Sequence, residues 1–220
     1  MIILKNVSKI YNKGSLEFKA LNNINLNINK GEFIAITGKS GSGKSTLLNL
    51  IAGLDSVDEG VIKIGNIDIS NLNENKRTRW RGKNIGIVFQ FFQLIPTLTA
   101  LENILLAMDF VANIPIYKRS EKALTLLKAL GIEKHANKYP AIMSGGEQQR
   151  CAIARACAND PDIIVADEPT GNLDSHNSEL IFNYFKELNN QGKTIIAVTH
   201  DKDLAGYANS QILLKDGCIE

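Results

Sequence analysis

The sequence predicts an α/β protein with a mainly parallel sheet, joined to an antiparallel β subdomain and interrupted by an inserted helical subdomain. Three observations predict this class. Phe33-Ile34-Ala35-Ile36, Ile163-Ile164-Val165-Ala166 and Thr194-Ile195-Ile196-Ala197-Val198 are continuously apolar, as strands buried on both faces must be. The last third of the chain alternates such strands with helical periodicity, the rhythm of parallel pairing. Residues 23 to 29 instead alternate strictly, with Ile24, Leu26 and Ile28 against four asparagines, which marks a half-buried antiparallel strand.

In chain order, residues 1 to 10 read as a strand ending at Tyr11, and Asn12-Lys13-Gly14 as a turn. After the alternating strand, Lys30-Gly31-Glu32 turns the chain into the apolar run at 33 to 36. Val61-Ile62-Lys63-Ile64 and Ile67-Asp68-Ile69 bracket the turn Gly65-Asn66 and complete the antiparallel sheet. Residues 72 to 82 are polar and basic, with Arg77, Arg79 and Arg81 around Trp80; a solvated helix face accounts for them better than a nucleic-acid patch. Ile85-Gly86-Ile87-Val88-Phe89 is a further buried strand leading to Gln90. Residues 91 to 142 read mainly as helices, one of them from Ser120 to Leu130 with Leu124, Leu127 and Leu130 on one side and Gly131 as its stop. Helices from about Gly145 to Ala158 and from about Ser175 to Leu188 precede the last two apolar strands, the second with Ile181, Tyr184, Phe185 and Leu188 at core spacing.

A length of 220 residues suits one domain, or one with a lobe inserted in it. With 25 basic and 23 acidic residues the formal net charge is +2, no electrostatic reason to expect nucleic acid as a partner. No apolar run has the length of a membrane-spanning helix; Ile104-Leu105-Leu106-Ala107-Met108 stops at Asp109. The N-terminus lacks a secretory signal pattern, so a cytoplasmic address is expected. Cys151, Cys157 and Cys218 form no C-x-x-C pair, and the first two would stand about 240° apart on one helix; they read as small buried hydrophobes.

The chemistry centres on Gly38-Lys39-Ser40-Gly41-Ser42-Gly43-Lys44-Ser45, which fits G-x-x-x-x-G-K-[ST] between an apolar strand and a helix running from Thr46 to Ile51. Glycines let successive backbone N–H groups turn inward on one anion. Lys44 adds a point charge for β- and γ-phosphates, the Ser45 hydroxyl is placed for Mg²⁺, and the helix presents its positive end to the same phosphates. Gly53 can end that helix. A second cluster, Asp167-Glu168, terminates the apolar strand at 163 to 166, and carboxylates at such a strand end stand over the crevice where open α/β sheets bind ligands. Asp167 is suited to hold Mg²⁺ through water and Glu168 to polarise an attacking water. A P-loop NTPase, RecA-like core that binds a nucleotide with Mg²⁺ is the expectation.

Met143-Ser144-Gly145-Gly146-Glu147-Gln148-Gln149-Arg150 resembles the signature of ATP-binding cassette (ABC) proteins, and the resemblance covers essentially the whole chain. It implies that Tyr11 stacks on adenine, that Gln90 senses Mg²⁺ and the attacking water, that Asn172-Leu173-Asp174 crosses a dimer interface and that His200 contacts the γ-phosphate. It further implies that Ser144, Gly145, Gly146 and Glu147 face the ATP held by a second copy, and that Gly38 to Thr46 hold this chain's own ATP. The implied arrangement is one nucleotide-binding domain, with 1–90 and 159–220 as β subdomain and ATP-binding core and 91–158 as helical lobe and signature helix. Its implied partners are a second copy of the chain and an integral membrane permease that holds it at the cytoplasmic face of the membrane.

Phe89-Gln90-Phe91-Phe92-Gln93-Leu94-Ile95-Pro96 resembles both polar amino acid importers and the macrolide-exporter and lipoprotein-release type, while Gly171-Asn172 favours the second group. A cell-division type cassette that gates a membrane complex without transport stays open. A genome-maintenance ATPase with the same signature would need long coiled-coil arms, for which the roughly hundred residues between the two motifs leave no room. The chain departs from the pattern at Met143, where leucine is usual, a nearly volume-conserving swap. It departs again at Glu147, where glutamine is more frequent, which puts a negative charge beside a helix start that must face a phosphate. It ends soon after Lys215-Asp216-Gly217, so no C-terminal regulatory domain is expected. Phe91, Phe92, Leu94 and Ile95 form an apolar cluster that is either core of the helical lobe or a contact for a partner, and the resemblance implies the second, a surface that receives the permease.

Overall fold

The computed structural model describes residues 1–220 apart from Lys13, Ser15 and Asn172 and the side chains of His176 and Lys202. Strands β1 (Ile2–Tyr11) and β2 (Phe18–Ile28) pair antiparallel, with Ile2 opposite Ile28 and Tyr11 opposite Phe18. Next, β3 (Phe33–Thr37) leaves for a second sheet and is followed by α1 (Lys44–Ile51). The hairpin β4 (Glu59–Ile64) and β5 (Ile67–Asp68) then returns to give a four-stranded antiparallel sheet in the order β2-β1-β4-β5.

A polar helix, α2 (Glu74–Asn84), capped by the Asn73 side chain, leads into β6 (Ile85–Val88). The insertion that follows carries α3 (Ala100–Val111), α4 (Ile116–Ala129) and two single 3₁₀ turns, Glu133–His135 and Pro140–Ile142. Then come α5 (Gly145–Ala156), β7 (Ile163–Asp167), α6 (Ser175–Asn190), β8 (Thr194–Val198), α7 (Lys202–Tyr207), β9 (Ser210–Lys215) and β10 (Cys218–Ile219). The second sheet has the order β10-β9-β3-β8-β7-β6 and is parallel except at β10.

Strand alternation explains how one sheet serves two cores. Ile34 and Ile36 of β3, Val165 of β7 and Ile196 and Val198 of β8 point to the face covered by α1 and the antiparallel sheet. Phe33, Ile164, Ala166, Ile195 and Ala197 point to the other face, covered by α3 to α6. Each strand is therefore apolar at every position, which is why it reads as a continuous run. The insertion is ordered by a buried polar group: Asn103, 1% exposed, donates to the carbonyls of Ile95, Leu98 and Thr99 and accepts from the Ile95 amide.

Several boundaries differ from the expected ones. Strand β2 starts at Phe18, well before the alternating asparagines, because β1 is long enough to pair with residues 18 to 21. Helix α4 begins at Ile116 after Pro115, but its first turn carries Ile116 and Tyr117 on the surface, so hydrophobic periodicity reveals it only from Ser120 on. Helix α5 stops at Ala156 and α6 runs on to Asn190. Short α7 and the partly exposed β9 and β10 carry too little pattern to be read from sequence. Cys151 and Cys157 are buried as expected, whereas Cys218 is only half-buried at the sheet edge. The Asn12-Lys13-Gly14 turn lies partly outside the described residues. Among the described residues, no helix is long and apolar enough to cross a membrane.

Candidate functional site

The parallel register gathers four chemically distinct loops at one edge of the sheet. Val88 pairs with Ala166, Asp167 with Val198, Ile36 with Val198, and Thr37 with Leu213, so the C-terminal ends of β6, β7, β8 and β3 stand side by side. The segments leaving them carry Gln90, Asp167-Glu168, His200 and the glycine loop at 38 to 43. Gln90, Asp167, Glu168, His200 and, from the loop, Ser40, Gly41 and Gly43 line one cleft of about 540 Å³, with Lys44, Ser45, Thr46, Phe18 and Ala20. This is the crevice at the strand ends where open α/β sheets place ligands.

At one wall, Gly43 caps α1 with φ +102°, and a Cβ there would sit 2.5 Å from the Ala20 carbonyl oxygen, so no other residue fits. Lys44, 7% exposed, donates from Nζ to the carbonyls of Gly38 and Lys39, both at 2.8 Å. The ammonium is thereby fixed to the loop beside the cleft that Lys44 lines. The Ser42 hydroxyl is buried and has no hydrogen-bond partner among the described residues. A loop of inward-turning amides at a helix N-terminus with a fixed cation is built for polyphosphate.

Glu168 stands opposite. Its backbone is left-handed (φ +46°), a conformation rare for glutamate, and its amide donates to the Val198 carbonyl at 2.9 Å. The strain aims the carboxylate across to the next strand end, where the His200 amide donates to Oε2 at 3.2 Å and His200 Nε2 lies 3.3 Å from Oε1. Burial raises the Glu168 carboxyl above the ordinary glutamate range, and the bond from the His200 backbone offsets part of that rise. A basic carboxylate beside a phosphate cradle can take a proton from water. The oxygen donors Ser45, Gln90 and Asp167 suit a hard cation such as Mg²⁺. Among the described residues no group of three or more His, Cys, Asp and Glu could hold a metal alone, so a cation here would rely on ligand oxygens and water.

Tyr11 is not among the residues that line this cleft. Its hydroxyl donates to Asp55 Oδ2 at 2.9 Å, and Lys9 Nζ lies 5.1 Å from its ring centroid, so one ring face is already covered. Burial and the Asp55 bond both raise its phenol. Phe18, its cross-strand partner, is 54% exposed and lines the cleft itself. Sequence reasoning missed Phe18; pairing β1 with residues 18 to 21 would have found it.

The remaining motif is elsewhere. Ser144, Gly145, Gly146 and Glu147 begin α5 and do not line the cleft. Ser144 and Gly145 are exposed, while Gly146 is buried against Asn177, where a Cβ would meet the Asn177 side chain at 3.0 Å. Asp174 caps α6 by accepting from the Asn177 amide at 2.8 Å; Asn172 of the same loop lies outside the described residues. Helix α5 is tied to the cleft at two points that the sequence did not disclose. Gln149 donates to the Pro169 carbonyl at 2.9 Å, just after Glu168. Arg155 donates to the carbonyls of Phe92, at 2.7 Å, and Gln93, which are left-handed (φ +34° and +54°) in the segment after Gln90.

The expected docking cluster is divided by the structure. Phe91 is 71% exposed and Ile95 38%, but Leu94 packs on the core and Phe92 lies against Gly145. An apolar groove lies nearby, lined by Ile87, Phe89, Gln93, Phe110 and Val111, with Arg81 at its rim.

The family model described as ABC transporter matches residues 21–171. An uncharacterised ABC transporter ATP-binding protein of Methanocaldococcus jannaschii, MJ0796, is 50% identical over all of this chain and 95% of its own. The lipoprotein-releasing system ATP-binding protein LolD of Bacteroides fragilis is 43% identical over the full length of both chains. A solved dimer of MJ0796 in a post-hydrolysis state, bound to ADP and Pi, superposes with a TM-score of 0.95 at 48% identity, covering 100% of this chain and 97% of the other.

Proposed function

This chain belongs to the ABC transporter family, and from that premise we propose that it is an ATP-hydrolysing subunit that pairs with a second copy around ATP and drives a membrane permease of the export or lipoprotein-release type. The observation that carries the reading is the split of the motifs. The phosphate loop, Gln90, Asp167, Glu168 and His200 share one cleft, while Ser144 and Gly145 face outward on α5. A site split in this way is completed by a second chain, as the dimeric relative suggests.

In this reading Gly38 to Thr46 wrap the phosphates, with Lys44 on the β- and γ-oxygens. Ser45, Gln90 and Asp167 would hold Mg²⁺, directly or through water, and the ion when bound neutralises charge developing on the phosphates. Glu168 takes the proton of the attacking water, and His200, fixed to it, contacts the γ-phosphate. Ser144, Gly145, Gly146 and the first turn of α5 meet the γ-phosphate held by the partner, and Asp174 lies on the loop that crosses between subunits. The adenine lies over Tyr11, whose cross-strand partner Phe18 lines the cleft. Residues 1–90 and 159–220 form the β subdomain and ATP-binding core, and 91–158 the helical lobe.

Docking of a permease is supported by the groove beside Gln90. Arg155 connects that segment to α5, so a push on Phe91 or Phe110 reaches both the water-sensing glutamine and the signature helix. The subunit would therefore work at the cytoplasmic face of the membrane. The test of the reading is phosphate release from Mg²⁺-ATP by the purified chain. Lys44→Ala is expected to lower it by about 10²- to 10³-fold, the scale for losing one preorganised charge at a phosphoryl group. Turnover that survives this substitution would place the ATP elsewhere.

A further inference from the structure

Glu147 poses a physical problem for a helix start that meets phosphate. A carboxylate in the first turn of α5 interacts well with the helix dipole but repels an anion brought to the same N–H groups. At a few ångströms, and away from bulk water, repulsion between two such charges is only weakly screened, enough to matter to a dimer held by ATP.

The structure shows where that carboxylate goes. Oε2 accepts from the Ser144 amide at 3.0 Å while Ser144 Oγ accepts from the Glu147 amide at 3.3 Å, a reciprocal capping box. The other oxygen, Oε1, lies 3.1 Å from Nδ1 of His135, which comes from the 3₁₀ turn after α4. Both side chains are largely covered, 24% and 19% exposed. Nδ1 is buried and, among the described residues, its approach to Glu147 Oε1 is a close polar contact that is not aligned as a straight hydrogen bond. His135 itself is anchored, its amide donating to the Ile132 carbonyl and its carbonyl accepting from the Lys138 amide, both at 2.9 Å.

We propose that His135 is a positioning residue for the signature surface: it holds the Glu147 carboxylate turned back into the capping box, away from the face that Ser144 and Gly145 present to the partner's ATP. This rests on the reading that α5 meets the γ-phosphate of a second subunit. With Oε2 on the Ser144 amide and Oε1 on His135, the Ser144 hydroxyl hydrogen and the Gly145 amide remain free for phosphate. Without His135 the carboxylate regains rotamers that reach the phosphate side.

The experiment is a double-mutant cycle in a Glu168→Gln background, which stalls hydrolysis. Four chains are compared, with His135 or His135→Ala combined with Glu147 or Glu147→Gln. ATP-driven dimerisation is read by sedimentation and monomer binding by titration with labelled ATP. His135→Ala is expected to weaken dimerisation about five- to tenfold with Glu147 present and less than about twofold when combined with Glu147→Gln, the non-additivity of groups in contact. Monomer binding stays unchanged in all four. An equal loss in both backgrounds, or none in either, overturns the proposal, because a merely structural histidine does not depend on the charge at 147. His135→Gln, which keeps an N–H donor, is expected to dimerise nearly as well as the parent, and behaviour like the alanine variant also overturns it. If the parent fails to dimerise on ATP, the functional reading itself falls, which is a separate outcome.

Discussion

The edge of the parallel sheet and the start of α5 carry motifs of equal prominence in the sequence, yet they are built in opposite ways. At the sheet edge, four strand ends in fixed register converge on a cleft, and their side chains are held by strain and mutual bonds, as with Glu168 and His200 or Lys44 and its loop carbonyls. At α5, Ser144 and Gly145 are exposed with their capping satisfied internally. The first surface encloses a cleft, whereas the second lies open, which is what a surface needs if its ligand is brought by another molecule. In the proposed reading one chain thus holds both halves of a site but cannot bring them together.

The largest effect that sharpens this contrast is expected from Glu168→Gln. Removing the base from the cleft should cut turnover by about 10²- to 10⁴-fold while the phosphate cradle still binds ATP. Steady-state phosphate release and ATP titration check both parts, and loss of binding together with turnover would deny Glu168 a separate role.

An intermediate effect tests whether the two regions are mechanically joined. Phe91→Ala and Phe110→Ala alter exposed side chains, so folding and free ATPase activity should change by less than about twofold. Stimulation of activity by the reconstituted permease should be lost. If stimulation persists, the groove beside Gln90 is not the transmission surface.

The smallest effect concerns stability at the strained acid. Burial raises the folded-state pKa of Glu168, so the folded chain binds the proton more tightly than the unfolded chain. Stability contributed by this group therefore falls as pH rises from the ordinary glutamate range through the raised value. Glu168→Gln removes that loss and is expected to raise Tm slightly at neutral pH but not near pH 4. A lower Tm at neutral pH would show that the carboxylate's bonds to His200 outweigh its burial.

The same contrast explains what was legible in the sequence. Doubly buried strands advertise themselves as apolar runs, and Gly38 to Ser45 and Asp167-Glu168 are local patterns attached to them, so spacing alone locates the cleft. What spacing does not carry is tertiary aim. The Arg155 bonds to the Phe92 and Gln93 carbonyls join groups 63 and 62 positions apart and leave no local trace. Phe18 was hidden because its partner is Tyr11, across a turn, and not a neighbour in the run of asparagines. The apolar residues after Gln90 look alike in sequence, yet Leu94 packs on the core and Phe91 is surface, a distinction set by tertiary packing that local pattern does not carry. Glu147 was visible as an anomaly, but its resolution at His135 lies twelve residues away in another element.

The central claim, that one chain's cradle is completed by the other chain's α5, is tested most directly by Ser144→Arg in the Glu168→Gln background. The exposed Ser144 does not line its own cleft. Labelled ATP should therefore bind the monomer with unchanged affinity, while the ATP-dependent dimer seen by size-exclusion chromatography with the parent disappears. Parallel loss of binding and dimerisation would contradict the account by placing Ser144 in its own chain's site, and a dimer that persists would contradict it by leaving α5 outside the interface.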